Sequence, residues 1–240
     1  MTEHRVKAFG AELEALSQSL AQMGGRVEAL LADAIEAISR RDTALAERTI
    51  AADATVDRNE RDVGERVVAL LALRQPVAID LRETVTALKI AADLERIGDL
   101  AKNIAKRALA LNREPPMRLT QSLVRMGRQA LQQLKTVLDA YSRRDTDAAV
   151  RVWRADSEID EHYNSVFREL LTYMMEDPRT IGLCAHLLFV AKNIERIGDH
   201  ATNLAENVHY LVTGERLADE RPKGDMTSTT SIDYETGRKK

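Results

Sequence analysis

The sequence predicts an all-α protein built as two repeated three-helix bundles, six long helices in all, packed side by side. Three observations carry that reading: apolar residues recur at helical spacing over long stretches, all five prolines fall where that spacing breaks, and two motifs occur twice, about a hundred residues apart. Hydrophobic residues make up 44% and charged residues 30%, while aromatics are only 4%, a balance that suits amphipathic helices better than a β-rich fold.

Pro76, Pro115, Pro116, Pro178 and Pro222 act as segment boundaries. The polar runs Ser39-Arg40-Arg41-Asp42-Thr43 and Ser142-Arg143-Arg144-Asp145-Thr146 add two more, with Asp or Thr available to cap the helix that follows. The predicted helices cover 3–40, 43–74, 77–112, 117–142, 146–175 and 179–213. The first carries a seam of Phe9, Leu13, Leu16, Leu20, Met23, Val27, Leu30 and Ala34, alternating four and three residues, as expected of helices packed nearly parallel. In the third, Ile90, Ile97, Ile104 and Leu111 recur every seven positions beside Ala87, Ala91, Gly98, Ala101 and Ala105. Gly98 costs helix propensity, so a close helix approach is its expected compensation. Beyond about Ala218 the chain turns polar, and 218–240 is predicted to be a disordered tail.

The five-residue run at 39–43 recurs identically at 142–146, and residues 91–105 match 191–205 at nine of fifteen positions, including all of Glu-Arg-Ile-Gly-Asp. The two offsets, 103 and 100, differ by three residues that must be absorbed between the second and third helices of each half. The chain therefore divides into a first repeat, 1–113, and a second, 114–217.

A net charge of −3, without a basic stripe, argues against nucleic acid as a partner. Cys184 is the only cysteine, so no internal disulfide is expected. Neither a signal-peptide core nor a bilayer-length apolar span is read, which makes the cytoplasm the expected compartment without membrane insertion.

Acids interrupt the apolar line of the second and fifth helices. Asp53 and Asp57 lie between Ile50 and Gly64; Asp156 and Asp160 lie between Trp153 and Tyr163. On the third and sixth helices Glu95 and Asp99, and Glu195 and Asp199, stand four residues apart and share a face. If the second and third helices form an antiparallel hairpin about Gln75-Pro76, Asp57 meets Glu95 and Asp53 meets Asp99. The same construction about Asp177-Pro178 sets Asp160 against Glu195 and Asp156 against Asp199. Four carboxylates then converge in each half and must take up protons, recruit basic partners or bind a cation. Oxygen-only ligands suit magnesium, manganese, calcium or iron. Arg96, Arg196, Lys89 and Lys192 are available to neutralise the charge instead, and Asn103 and Asn203, one turn on, could supply ligand oxygens or interhelical hydrogen bonds. Glu60 has Tyr163 as its counterpart and is a weaker candidate.

Glu206 and His209 fit a Glu-x-x-His di-iron pattern, but Lys106 and Leu109 hold the equivalent places, so His209 is read as structural. His200 points about 100° away from Asp199 around the helix. His186 and Cys184 are read as core. No catalytic residue and no organic cofactor site is read, and no phosphate loop or nucleophile elbow appears.

The runs Arg74-Gln75-Pro76-Val77-Ala78-Ile79-Asp80-Leu81-Arg82 and Asp93-Leu94-Glu95-Arg96-Ile97-Gly98-Asp99 resemble the first half of PhoU proteins. Residues Leu187 through Asn203, centred on Glu195-Arg196-Ile197-Gly198-Asp199, are similar to that family's second repeat. The resemblance spans about residues 1–215. It implies paired three-helix bundles, often a homodimer, that couple the high-affinity phosphate transporter ATPase to a phosphate-responsive sensor histidine kinase and repress the phosphate-starvation response when phosphate is plentiful. Such a protein is cytoplasmic and reaches the inner membrane only through its partners. The resemblance also places metal ions at Glu95/Asp99 and Glu195/Asp199, with Asp53/Asp57 and Asp156/Asp160 on the neighbouring helices. Beside this non-enzymatic adaptor stand two alternatives, a carboxylate-bridged metalloenzyme and a metal-free helical scaffold.

Overall fold

Helix ends in this chain are set by the duplicated polar run, and the same hydrogen bonds form at both copies. In the computed structural model, which describes residues 2–217, Arg41 and Arg144 adopt left-handed φ of 56° and 55° and terminate a helix. The amides of Asp42 and Asp145 return to the carbonyls of Ala37 and Ala140 at 3.0 Å. Each aspartate then opens the next helix by accepting from the backbone N–H three residues on, Leu45 or Ala148, at 2.9 Å.

The helices are α1 (Thr2–Arg40), α2 (Thr43–Arg74), α3 (Ala78–Leu111), α4 (Thr120–Arg143), α5 (Thr146–Arg154), α6 (Asp156–Glu176) and α7 (Ile181–Thr213), with a 3-10 turn at Pro178–Thr180 before α7. The described residues hold no strand, so the all-α class is what forms. The predicted tail, 218–240, lies outside the described residues.

The fifth predicted helix, 146–175, is in fact two. Ala155 breaks it without a proline or glycine: its carbonyl accepts the Glu158 amide at 3.2 Å in a tightened turn and the side-chain amide of Gln133, on α4, at 2.9 Å. A tertiary hydrogen bond holds the bend, so local sequence carries no signal for it. The fourth helix starts at Thr120 rather than 117, because residues 117–119 form turns that lead into it.

The long helices α3 and α7 lie against each other at the centre, with α1 and α2 on α3, α4, α5 and α6 on α7, and α1 against α4. One apolar core runs through both repeats. From Leu16 to Ala34 the α1 seam is buried, as are Ile90, Ile97, Ile104 and Leu111 of α3. Asp93 ties α3 to α7: its carboxylate faces His200 Nδ1 at 2.9 Å and accepts from Asn203 and Asn207 at 3.4 Å. His186, expected in the core, instead sits half-buried on that seam with Nδ1 3.1 Å from the Arg107 guanidinium. Arg107 also lies over the Phe189 ring, 4.5 Å from its centre.

Gly98 does permit a close approach, that of α2. A Cβ there would stand 3.3 Å from both Asp53 Oδ1 and Val56 Cγ1. A Gly98→Val variant forces a branched side chain into that contact, so we expect a loss of about 2 kcal/mol, read as a melting temperature lower by about 4–8 °C.

Candidate metal centre

Two antiparallel hairpins, α2–α3 and α6–α7, present the acids. In the first, Asp53 is buried while Asp57, Glu95 and Asp99 are half-buried at its edge. Carboxylate oxygens of Asp53, Asp57 and Asp99 all lie within 4.8 Å of one another, close enough to share one cation. Burial raises Asp53 above the ordinary carboxylate range; hydrogen bonding to Lys102 opposes that, while the charges of Asp57 and Asp99 add to it. Burial also raises Glu95, reinforced by the charge of Asp99, with Arg96 opposing.

Lys102 is the residue that the sequence reading passed over. Its ammonium donates to Asp53 Oδ2 and to Asp99 Oδ1, both at 2.5 Å. Burial works to lower its pKa, but the two carboxylates outweigh it and hold the group well above its ordinary value. It lies three residues past Asp99, on the same helical face, and that spacing was the available signal. Of the four basic residues considered from sequence, Arg96 reaches Glu95 at 3.6 Å and Lys192 reaches Glu195 at 2.9 Å. Lys89 lies over the Tyr210 ring instead, 6.0 Å from its centre, and Arg196 is exposed.

In the second hairpin Asp156, Asp160 and Glu195 are buried and Asp199 is half-buried. Asp156 is the first residue after the break at Ala155 and accepts the Thr202 hydroxyl at 2.9 Å. Lys192 also lies over the Tyr163 ring, at 5.0 Å. Asn203 turns to Asp93 across the repeats. Glu206 accepts the Trp153 indole N–H at 3.1 Å, and His209 Nδ1 faces the Glu215 carbonyl at 3.1 Å, a helix-end contact. Cys184 is buried, with Sγ 3.7 Å from the Thr180 hydroxyl.

The PhoU domain family matches residues 20–108 and again 123–208. The phosphate-specific transport system accessory protein PhoU homolog of Caulobacter vibrioides is 55% identical over 229 residues, 95% of this chain and 100% of that one. The chain belongs to the PhoU family. Among solved structures, PhoU from Pseudomonas aeruginosa superposes with a TM-score of 0.84 at 41% identity, covering 86% of this chain and 100% of that one. The phosphate transport system regulatory protein PhoU from Streptococcus pneumoniae gives 0.80 at 29%, covering 87% and 99%. PhoU is a family of regulatory accessory proteins, not of enzymes.

The two PhoU repeats of this chain are not chemical copies. Where the first has the Lys102 ammonium, the second has the neutral Thr202 hydroxyl. The all-oxygen donor set fits a hard divalent ion, and Asp53 Oδ1, buried and outside any hydrogen bond, is a ligand atom in waiting. In the first repeat such an ion would have to compete with Lys102 for Asp53 and Asp99.

Removing Lys102 leaves Asp53 buried beside other acids, so Lys102→Met is expected to destabilise the metal-free protein by about 1–3 kcal/mol. Manganese should restore the lost stability, as read by melting with and without chelator. The raised pKa values of Asp53 and Glu95 mean that the folded state holds extra protons as pH falls through them; that contribution favours the fold at lower pH and is absent at neutral pH. Metal needs the same groups ionised, so the manganese-dependent gain should shrink as pH falls through the raised pKa values of these two acids.

Proposed function

We propose that this PhoU-family chain is a negative regulator of phosphate uptake and of the phosphate-starvation response, acting as an adaptor between the phosphate transporter ATPase and a sensor histidine kinase. The observation that carries this reading is the paired family match, to relatives described as accessory to phosphate-specific transport and collinear with 95% of this chain.

Surface chemistry supports an adaptor. The tip of the α2–α3 hairpin exposes Leu73 at 78%, Val77 at 73% and Ile79 at 64%, and the tip of the α6–α7 hairpin exposes Met175 and Ile181. Adjacent apolar side chains left in water at both tips are a cost that a partner would relieve. No helix among the described residues is long and apolar enough to cross a membrane, so contact with a transporter would run through its cytoplasm-facing subunit. Capture of tagged protein from phosphate-replete cells should recover the transporter ATPase and the kinase. Val77→Asp combined with Ile79→Asp should reduce ATPase recovery by at least about tenfold without lowering the melting temperature, since neither side chain is buried. Recovery of neither partner by the unaltered protein sinks the adaptor reading.

We further propose that the acids Asp53, Asp57, Glu95 and Asp99, and Asp156, Asp160, Glu195 and Asp199, bind magnesium, manganese, iron or calcium. A bound ion would add positive charge to that of Lys102 in the first cluster and of Lys192 in the second. Lys102 specifically favours the metal-free scaffold in the first repeat, which makes metal content the decisive measurement. Elemental analysis of protein purified without chelator should give stoichiometric metal that falls in Asp99→Asn and Asp199→Asn; no metal in the unaltered protein returns the scaffold reading for both repeats.

A further inference from the structure

We infer that the cleft enclosed by the end of α1, the α3–α4 connection and the start of α4 is a binding site for a phosphate-class oxyanion. It lies apart from the acid clusters and does not rest on the metal or the adaptor reading. The cleft encloses about 390 Å³, within the size range of small-molecule sites. Arg41, Arg125 and Arg128 line it and no carboxylate does.

Among the described residues, no carboxylate forms an ion pair with any of the three guanidiniums. Arg41 donates to the carbonyls of Asn112 at 2.9 Å and Glu114 at 2.5 Å, which fixes its position without cancelling its charge. Arg125 donates to the Ser122 hydroxyl at 2.8 Å, again a neutral partner. Its field reaches His162, whose pKa is lowered first by burial and then by Arg125. Arg128 makes no hydrogen bond or ion pair among the described residues. Three like charges around one cleft repel unless an anion joins them, and guanidinium forks match phosphate oxygens in pairs. Leu111, Met117 and Leu183 add apolar side chains to the lining.

The duplication supplies an internal comparison. Arg144 occupies in the second repeat the place of Arg41 in the first, at the same left-handed helix end. There the chain provides its own anion, because Glu83 forms an ion pair with Arg144. Arg41 has only carbonyls among the described residues, which leaves the matching place in the first repeat open to an anion from outside.

Titration calorimetry on the full chain at constant ionic strength tests this with inorganic phosphate, pyrophosphate and ATP, and with sulfate as the charge control. We expect saturable one-to-one binding of at least one phosphate compound. Arg125→Gln combined with Arg128→Gln should weaken it at least about tenfold, and Arg58→Gln, an exposed arginine on α2 outside the cleft, should leave it unchanged. Binding of inorganic phosphate identifies the free ion as sufficient; binding of pyrophosphate or ATP without inorganic phosphate identifies a larger phosphate compound. Both altered arginines are exposed, and an unchanged melting temperature confirms that the variant folds. Absence of saturable binding by all three compounds overturns the assignment, as does affinity unchanged in the double variant or matched by sulfate.

Discussion

Carboxylates on the buried line of a helix must find positive charge or protons, and that demand organises both halves of this protein. Asp53, Asp156, Asp160 and Glu195 are all withdrawn from water, where an unbalanced charge costs several kcal/mol or more. The helices carrying them cannot slide or rotate freely, because each acid has to stay in register with what compensates it. Gly98 shows the constraint from the other side: the approach that brings Asp53 onto α3 leaves no room for a Cβ.

The same demand links the repeats to each other. Asp93 on α3 is held by His200, Asn203 and Asn207 of α7, so the central contact between the halves is polar at its edge and apolar within. On the opposite side, α1 and α4 come close enough that a Cβ at Gly24 would meet Leu138 at 2.6 Å, and one at Gly127 would meet Ile35 at 2.9 Å. Contacts of that kind transmit displacement rather than absorb it. A partner docked on a hairpin tip and an ion at the acids would therefore act on one continuous core.

Duplication followed by local divergence explains where the halves differ. The helix stop and start at 39–43 and 142–146 are preserved down to their hydrogen bonds. Charge balance is not: Lys102 has Thr202 as its counterpart, and Arg41, held by carbonyls, has Arg144, paired with Glu83. A backbone signal survives because its geometry is local, whereas a counter-ion can be supplied by any neighbouring helix or by a ligand.

Sequence by itself determined the helical class, the helix ends at the polar runs and prolines, the buried seam of α1 and the twofold repeat, since each of these is written in spacing along one chain. It also singled out Asp53, Asp57 and Asp99, whose closeness follows from the hairpin they share. Tertiary structure alone decided the break at Ala155, held by Gln133 of α4, the half-buried place of His186, and the convergence of Arg41, Arg125 and Arg128 on one cleft. Lys102 falls between the two kinds, since its spacing from Asp99 was legible but its hold on Asp53 was not. The physical reason is common to all of them: a helix periodicity records which residues share a face, and only packing reveals what that face meets.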